Sequence, residues 1–193
     1  VNMFDETLMK SQLAEAKKQN AYTLVSVHWG TEDSSSIDAA QEKWSQFLAD
    51  HGADVVIGTG PHVIEPVKKL PSVGGGEALV WYSIGNMLSS QLKIEELIGG
   101  FAVMDFEIKN NVPVMKEIGF LPTYMHYEWT DSEAASENLL ARKNIKIYML
   151  EESKEPLAKS QHNTTVEEQT NRVEKILNQY TPIKMLSLND YGL

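Results

Sequence analysis

Two histidines and an asparagine each follow an apolar run of the sequence. His28 closes the run that begins at residue 24, His62 comes shortly after the run 53–57, and Asn86 comes shortly after the run 78–82. A neutral imidazole is a ligand for Zn, Mn, Fe or Ni. A single histidine in such a place more often has a structural or hydrogen-bonding role than a metal-binding one, so both interpretations stay open at this point.

The three apolar runs are typical of buried strands, and helical patterns alternate with them. Apolar residues recur at helical spacing over residues 5–20, where Asp5 can cap the helix. A second helical pattern runs from Ser36 or Ile37 to His51 and stops at Gly52. This alternation predicts an α/β fold with parallel strands and covering helices. Ligands collect at the carboxyl ends of such strands, so we expect the two histidines and Asn86 to lie at one edge.

For the rest of the chain, the sequence predicts loops, a hairpin and a helical C-terminal end. We expect a loop over 66–76, a strand over 79–83, a hairpin of 101–108 with 112–120 about Asn110 and Asn111, and a strand over 145–150. Residues 151–163 are polar, a helix follows from a Thr164 or Thr165 cap to about residue 179, and 181–193 is a docked tail. We therefore predict a main unit over 1–150 and an appended helix and tail over 151–193.

Composition excludes several classes of function. The formal net charge of −10 disfavours nucleic acid and anionic membranes as direct partners, because both would repel the chain. The chain has no cysteine, so a metal would have to be held by His, carboxylate, Asn or water. No run approaches the roughly 20 apolar residues of a membrane span, and no signal segment is visible. Because the chain opens at Val1 directly before a helix, we expect a fragment of a longer protein.

Two short segments allow more than one interpretation. The segment 58–62 is typical of a tight turn, and a phosphate-binding loop is less favoured because Pro61 removes one backbone amide. Glu32 and Asp33 lie just beyond His28. They are interpreted as a solvated loop, as partners that orient an imidazole, or as a general base.

Three segments in register resemble a known family. The segments 27–32, 52–63 and 82–86 resemble the bacterial capsule-synthesis CapA/PgsA family, which is associated with poly-γ-glutamate capsules and related to calcineurin-like metallophosphatases. The resemblance implies a metallophosphatase-like four-layer α/β/β/α sandwich, of which residues 1–150 would be the C-terminal part. It also implies a divalent metal (Mn, Fe or Zn), and an anionic capsule polymer or its precursor and other capsule synthase subunits as partners. The expected location is extracytoplasmic, at the cell surface, with membrane attachment only through an upstream anchor.

The resemblance also assigns roles to residues. His28 matches the histidine of a His-Trp-Gly motif and His62 the second histidine of a His-x-His pair, so both are expected metal ligands. Asn86 is expected to line the pocket and Glu32 to act beside the ligands, and these two are the candidate catalytic residues. Gly60 stands where the first histidine of the pair is usual. This departure implies a single metal, a substituting water or a degenerate site.

Three functions remain in competition. The first is metal-dependent hydrolysis or transfer at a phosphoryl or acyl-type centre. The second is a non-catalytic capsule-assembly or polymer-binding subunit with a degenerate site, and the third is an α/β domain with structural histidines. The other histidines have structural interpretations: His51 closes a helix, His126 belongs to an aromatic cluster, and His162 lies in a polar loop.

Overall fold

The computed structural model describes residues 4–110 and 112–191, which form a mixed α/β fold with two sheets and several helices. The helices are α1 (Glu6–Lys18), α2 (Ala39–Asp50), α3 (Asp131–Ala135), α4 (Lys154–Lys159) and α5 (Val166–Leu177). The strands are β1 (Leu24–His28), β2 (Val55–Thr59), β3 (Val67–Pro71), β4 (Glu77–Trp81), β5 (Ile98–Lys109), β6 (Val112–Glu128), β7 (Lys143–Met149) and β8 (Lys184–Met185). None of the helices in these ranges has the length and apolar character that a membrane crossing needs.

The first sheet carries the three strand ends that the sequence singles out. Its order is β1-β2-β4-β3, with β1, β2 and β4 parallel and β3 antiparallel at the edge. His28 is in register with Thr59, and Ile57 is in register with Trp81. The prediction of parallel strands whose carboxyl ends share one edge is therefore confirmed.

Helices α1 and α2 cover one face of this sheet, as predicted. Leu13 of α1 and Leu48 of α2 pack in one apolar cluster with Val56 and Val80 of the sheet. The Asp5 carboxylate accepts from the backbone amide of Leu8 at 2.9 Å, so the predicted cap of α1 is confirmed. Helix α2 begins later than predicted because the chain forms a reciprocal capping box between residues 38 and 41.

The second sheet packs against the other face. It consists of the antiparallel series β5-β6-β7, and β8 runs parallel to β6. Trp81 of the first sheet stacks on Phe120 of the second, with ring centroids 5.9 Å apart. Leu177 of α5 and Ile183 lie in the same apolar core as these two rings. The C-terminal segment thus shares a core with both sheets, and the division at residue 150 stays a prediction.

One predicted loop and one polar stretch contain regular structure. The prediction of a loop over 66–76 is wrong for its first half, because β3 pairs there with β4 and buries Val67. The local sequence favours a loop because two lysines and Pro71 are unfavourable inside a sheet. They are tolerated at an exposed sheet edge, which is where β3 lies. The polar stretch 151–163 contains α4, whose Leu157 is buried. The predicted hairpin is confirmed and longer than expected; Asn110 of its turn has a left-handed φ of +52°, and Asn111 lies outside the described residues.

Candidate functional site

The loops that follow β1, β2 and β4 are held together by backbone and side-chain hydrogen bonds. The Trp29 amide donates to the carbonyl of Thr59, and the Trp29 indole Nε1 donates to the carbonyl of Tyr82, both at 2.8 Å. The Asp33 amide donates to the Pro61 carbonyl, also at 2.8 Å. Trp29 is buried and therefore fixes the spacing of the three loops. His28, His62 and Asn86 are carried on this joined edge.

His62 is held by Asn86, and the hydrogen bonds determine which ring nitrogen is free. The Asn86 amide nitrogen donates to the backbone carbonyl of Glu96 at 3.0 Å, so the amide oxygen must be the atom that faces His62. That oxygen is 3.0 Å from His62 Nδ1, which must then carry the proton and donate. In the neutral imidazole the lone pair is consequently on Nε2.

His28 reaches the same tautomer through different partners. The Thr59 hydroxyl donates to the carbonyl of Val27 at 3.2 Å, so it is left to accept from His28 Nδ1 at 3.3 Å. The lone pair of the neutral His28 ring is therefore also on Nε2, and the ring is exposed. Both histidines thus present the atom that a metal ion binds, and each is oriented by a neighbour in the way usual for metal-bound histidines.

Glu32 and Asp33 have different surroundings. Glu32 is exposed, and its carboxylate makes no hydrogen bond or ion pair with any residue in 4–110 or 112–191. Asp33 has a left-handed φ of +61°, and its carboxylate pairs with Lys93 Nζ at 2.5 Å. The hydrogen bond from Lys93 lowers the pKa of Asp33 below its ordinary value. The Asp33–Lys93 pair spans 60 positions of the chain, and no local pattern in the sequence signals it.

The backbone at Gly60 has no room for a side chain. Its φ is +127°, and a Cβ atom built there would lie 2.0 Å from the carbonyl oxygen of Trp29. Real Cβ atoms keep more than 3.0 Å from such neighbours. The absence of a histidine at this position is therefore linked to the close approach of the β1 and β2 loops.

A buried carboxyl group lies below this edge and was missed by sequence reasoning. Glu65 is fully buried, and its Oε2 accepts from Gln41 Nε2 at 2.6 Å. Its Oε1 has no hydrogen-bond partner within the described part of the chain. Burial raises the pKa of Glu65 to about 7. An acid within the otherwise apolar segment 63–67 was the available signal, since buried Glu is rare without a pairing group.

A comparison with protein families covers the first sheet. The model of the family described as bacterial capsule synthesis protein PGA_cap matches residues 1–91. The family resemblance is confirmed. Residues 1–91 are called the PGA_cap segment below; it contains His28, Glu32, His62 and Asn86, and it ends before the second sheet.

Two relatives each match somewhat less than half of the chain. The PGA biosynthesis protein CapA of Bacillus subtilis (strain 168) is 32% identical over 87 residues, which are 45% of this chain and 22% of the relative. The capsule biosynthesis protein CapA of Bacillus anthracis is 30% identical over 94 residues, which are 47% of this chain and 22% of the relative. The chain thus matches less than a quarter of the length of either relative.

The PGA_cap segment meets part of the requirement for a metal ion. His28 and His62 have the tautomer and the orienting hydrogen bonds that suit a divalent cation. Within residues 4–110 and 112–191, however, no group of three His, Asp or Glu side chains is arranged to hold one. The two imidazoles fit as donors and do not complete a metal site by themselves.

Proposed function

We propose that this chain takes part in bacterial capsule biosynthesis, and that its PGA_cap segment contributes two ligands to a metal-dependent site for hydrolysis or transfer. The observation that carries the proposal is the common tautomer of His28 and His62, whose Nδ1 atoms are both occupied by local acceptors. A structural histidine needs no particular free nitrogen, whereas a metal ligand needs an unprotonated one. The names of the two relatives, both capsule or PGA biosynthesis proteins, support the capsule assignment.

Each residue has a defined part in the proposed site. His28 and His62 would hold a divalent cation such as Mn, Fe or Zn, which when bound would supply Lewis-acid polarisation and activation of water. Asn86 keeps His62 in the Nδ1-protonated form and fixes the ring plane. Glu32 offers an exposed carboxylate four residues after His28 and is the proposed proton acceptor.

The wider setting of the site is also part of the proposal. We infer that the first sheet belongs to a metallophosphatase-like α/β/β/α sandwich and that the remaining ligands come from protein outside the described residues. The proposed partners are an anionic capsule polymer or its precursor and other capsule synthase subunits. The proposed location is extracytoplasmic at the cell surface, with any membrane attachment made by a segment outside this sequence.

The test compares metal binding with capsule formation in the same variants. The changes are His28→Ala and His62→Ala, with His51→Asn as a matched control because His51 lies at the end of α2, away from the joined edge. In the purified full-length protein, which would include the segment that supplies the remaining ligands, calorimetric titration with Mn²⁺ and Zn²⁺ is expected to show metal binding. Both changes at the edge are expected to weaken that binding at least tenfold, and the control is expected to leave it unchanged. Capsule production is expected to fall in cells that carry either change at the edge and to stay unchanged in cells that carry the control. Metal binding and capsule production that survive both changes would contradict the proposal.

A second function, that of a non-catalytic assembly or polymer-binding subunit, is favoured by Gly60. The backbone there excludes the histidine that the family pattern expects, so the site lacks one usual ligand. The same variants distinguish the two functions. If His28→Ala and His62→Ala abolish metal binding while capsule production continues, the assembly function is the correct one.

A further inference from the structure

Glu65 is the polar member of an otherwise apolar segment, 63–67, all of which is buried. Taking a carboxyl group out of water costs free energy that an apolar side chain in the same place would not cost. Oε2 of Glu65 accepts from Gln41, but Oε1 has no hydrogen-bond partner within residues 4–110 and 112–191. The contacts of the carboxyl group thus offset this cost only in part. Packing alone does not explain a carboxyl group in this place.

The direction of the hydrogen bond between Gln41 and Glu65 is fixed by the start of helix α2. Gln41 Oε1 accepts from the backbone amide of Asp38 at 2.8 Å, so the side-chain nitrogen is the atom that faces Glu65. The Asp38 carboxylate accepts from the backbone amide of Gln41 at 2.8 Å and from the Thr31 hydroxyl at 3.0 Å. A continuous series of hydrogen bonds therefore runs from Glu65 through Gln41 and Asp38 to the loop after β1.

The loop after β1 lies directly on this series. A Cβ atom built on Gly30 would lie 2.7 Å from Gln41 Nε2 and 2.7 Å from Pro61 Cγ, so the loop backbone is in contact with both residues. The Asp33 amide donates to the Pro61 carbonyl at 2.8 Å. Residues 30–33 are consequently held both by Gln41 and by the turn that follows β2.

The backbone of Glu65 connects the same point to the loop after β4. The Glu65 amide donates to the Ser83 carbonyl at 3.1 Å, next to an antiparallel bridge between positions 64 and 84. His62 lies two residues before this bridge on one segment, Asn86 lies two residues after it on the other, and the two side chains are hydrogen-bonded. The loops after β1, β2 and β4 are thus joined at Glu65: the first through its side chain, the second through its own chain and the third through its backbone.

Glu32 depends on this framework for its position. Its side chain is exposed, and its two neighbours in the chain, Thr31 and Asp33, make the hydrogen bonds that anchor the loop. The first anchor leads to the start of α2 and the second to the turn after β2. The position of the Glu32 carboxylate relative to His28 and His62 is therefore set by these two anchors.

We propose that Glu65 is a positioning residue for the candidate site: its carboxyl group holds Gln41 and the start of α2, so that the loop with Glu32 keeps its place beside the two histidines. Glu65 acts through Gln41 and Asp38 and takes no part in the chemistry itself. The role of Glu32 as a proton acceptor rests on the proposed function, whereas the placement of the loop by Glu65 rests on the hydrogen bonds alone.

The test measures hydrogen–deuterium exchange by mass spectrometry in peptides that cover residues 29–36 of the purified full-length protein. Glu65→Met removes the acceptor and keeps the length of the side chain, whereas Glu65→Gln keeps an oxygen that can accept from Gln41. Ser45→Ala is the matched control, because it removes another buried hydrogen bond of α2, from the Ser45 hydroxyl to the Tyr82 hydroxyl at 2.8 Å. We expect exchange in 29–36 to become about tenfold faster in Glu65→Met and to stay within about twofold of the native rate in the other two variants.

Further measurements separate a positioning role from a general loss of stability. Exchange is also followed in peptides of α2 and β2, where a general loss would appear equally. If Glu65→Met does not fold, the double change Gln41→Met with Glu65→Met leaves neither partner buried and unpaired, and the same faster exchange in 29–36 is expected. The proposal is overturned if exchange in 29–36 stays native in the Met variants, if Glu65→Gln accelerates it as much as Glu65→Met, or if Ser45→Ala does so.

The exchange measurement is made in EDTA, so it needs no bound metal. A native protein that binds no Mn²⁺ would contradict the proposed function and would leave the expected exchange rates as they are. Native exchange in the Met variants of a protein that does bind Mn²⁺ would overturn the positioning role alone.

Discussion

A side chain at position 60 is expected to destabilise the protein and not to restore a metal ligand. The change Gly60→His places a Cβ atom 2.0 Å from the Trp29 carbonyl oxygen, on a backbone with φ of +127°. This φ region is almost confined to glycine and costs another residue about 1 to 3 kcal/mol. Relief of the contact requires the β1 and β2 loops to separate, which costs about 1 to 3 kcal/mol more.

The expected loss is therefore roughly 2 to 6 kcal/mol in the free energy of unfolding, or about 5 to 20 °C in the melting temperature of a chain this size. Urea unfolding followed by circular dichroism measures the first quantity, and calorimetry measures the second. Gly60→Ala is expected to lose nearly as much as Gly60→His, because the Cβ atom and the backbone conformation cause the effect.

The control is Gly52→Ala, at the end of α2. Gly52 has a similar φ of +102°, but no atom lies within 4 Å of its added Cβ. That variant is expected to lose only the conformational part, about 1 to 3 kcal/mol. The reasoning is refuted if the position 60 variants are no less stable than Gly52→Ala, or if Gly60→His binds Mn²⁺ more tightly than the native protein.

Two other side chains give separate expectations. Asn86→Ala removes the acceptor of His62 Nδ1. We expect titration to show about 10- to 100-fold weaker metal binding and nitrogen NMR to show a mixture of His62 tautomers. An unchanged His62 tautomer would contradict this expectation. Glu65 has its pKa raised from 4.5 to about 7, so the native state binds more protons than the unfolded state between these pH values and stability falls as pH rises through them. Glu65→Gln is expected to abolish roughly 3 kcal/mol of that fall in urea unfolding at pH 5 and pH 8, since an amide oxygen can still accept from Gln41. A pH dependence equal to that of the native protein would show that Glu65 is charged at neutral pH.

The first sheet could be predicted from the sequence because its signals are local. Strands β1, β2 and β4 are short apolar runs with polar or glycine residues at their ends, and the helix before them is capped by Asp5. Edge strand β3 gave no such signal. It forms because β4 supplies hydrogen-bonding partners, which is a property of the assembled sheet.

The candidate site could be predicted only as far as its strand ends. The sequence places His62 and Asn86 after two neighbouring strands, and the structure joins them by a hydrogen bond. The sequence does not signal Lys93, which pairs with Asp33 across 60 positions, or the Gln41–Glu65 contact below the loops. These pairs depend on how the loops fold back, and that is decided by tertiary packing around Trp29.

The backbone conformation of this edge is a further feature that the proposed function has to explain. His62 and Asp33 both have left-handed φ angles, +64° and +61°, a conformation in which histidine and aspartate are enriched, with asparagine, among residues other than glycine. The conformation at His62 is maintained by its hydrogen bond to Asn86 and by the loop contact between Asp33 and Pro61. A turn needed only for chain reversal would accept glycine or asparagine at position 62 with less strain. An imidazole at this position thus costs some backbone strain that glycine would avoid, and we propose that its place in the candidate site accounts for that cost.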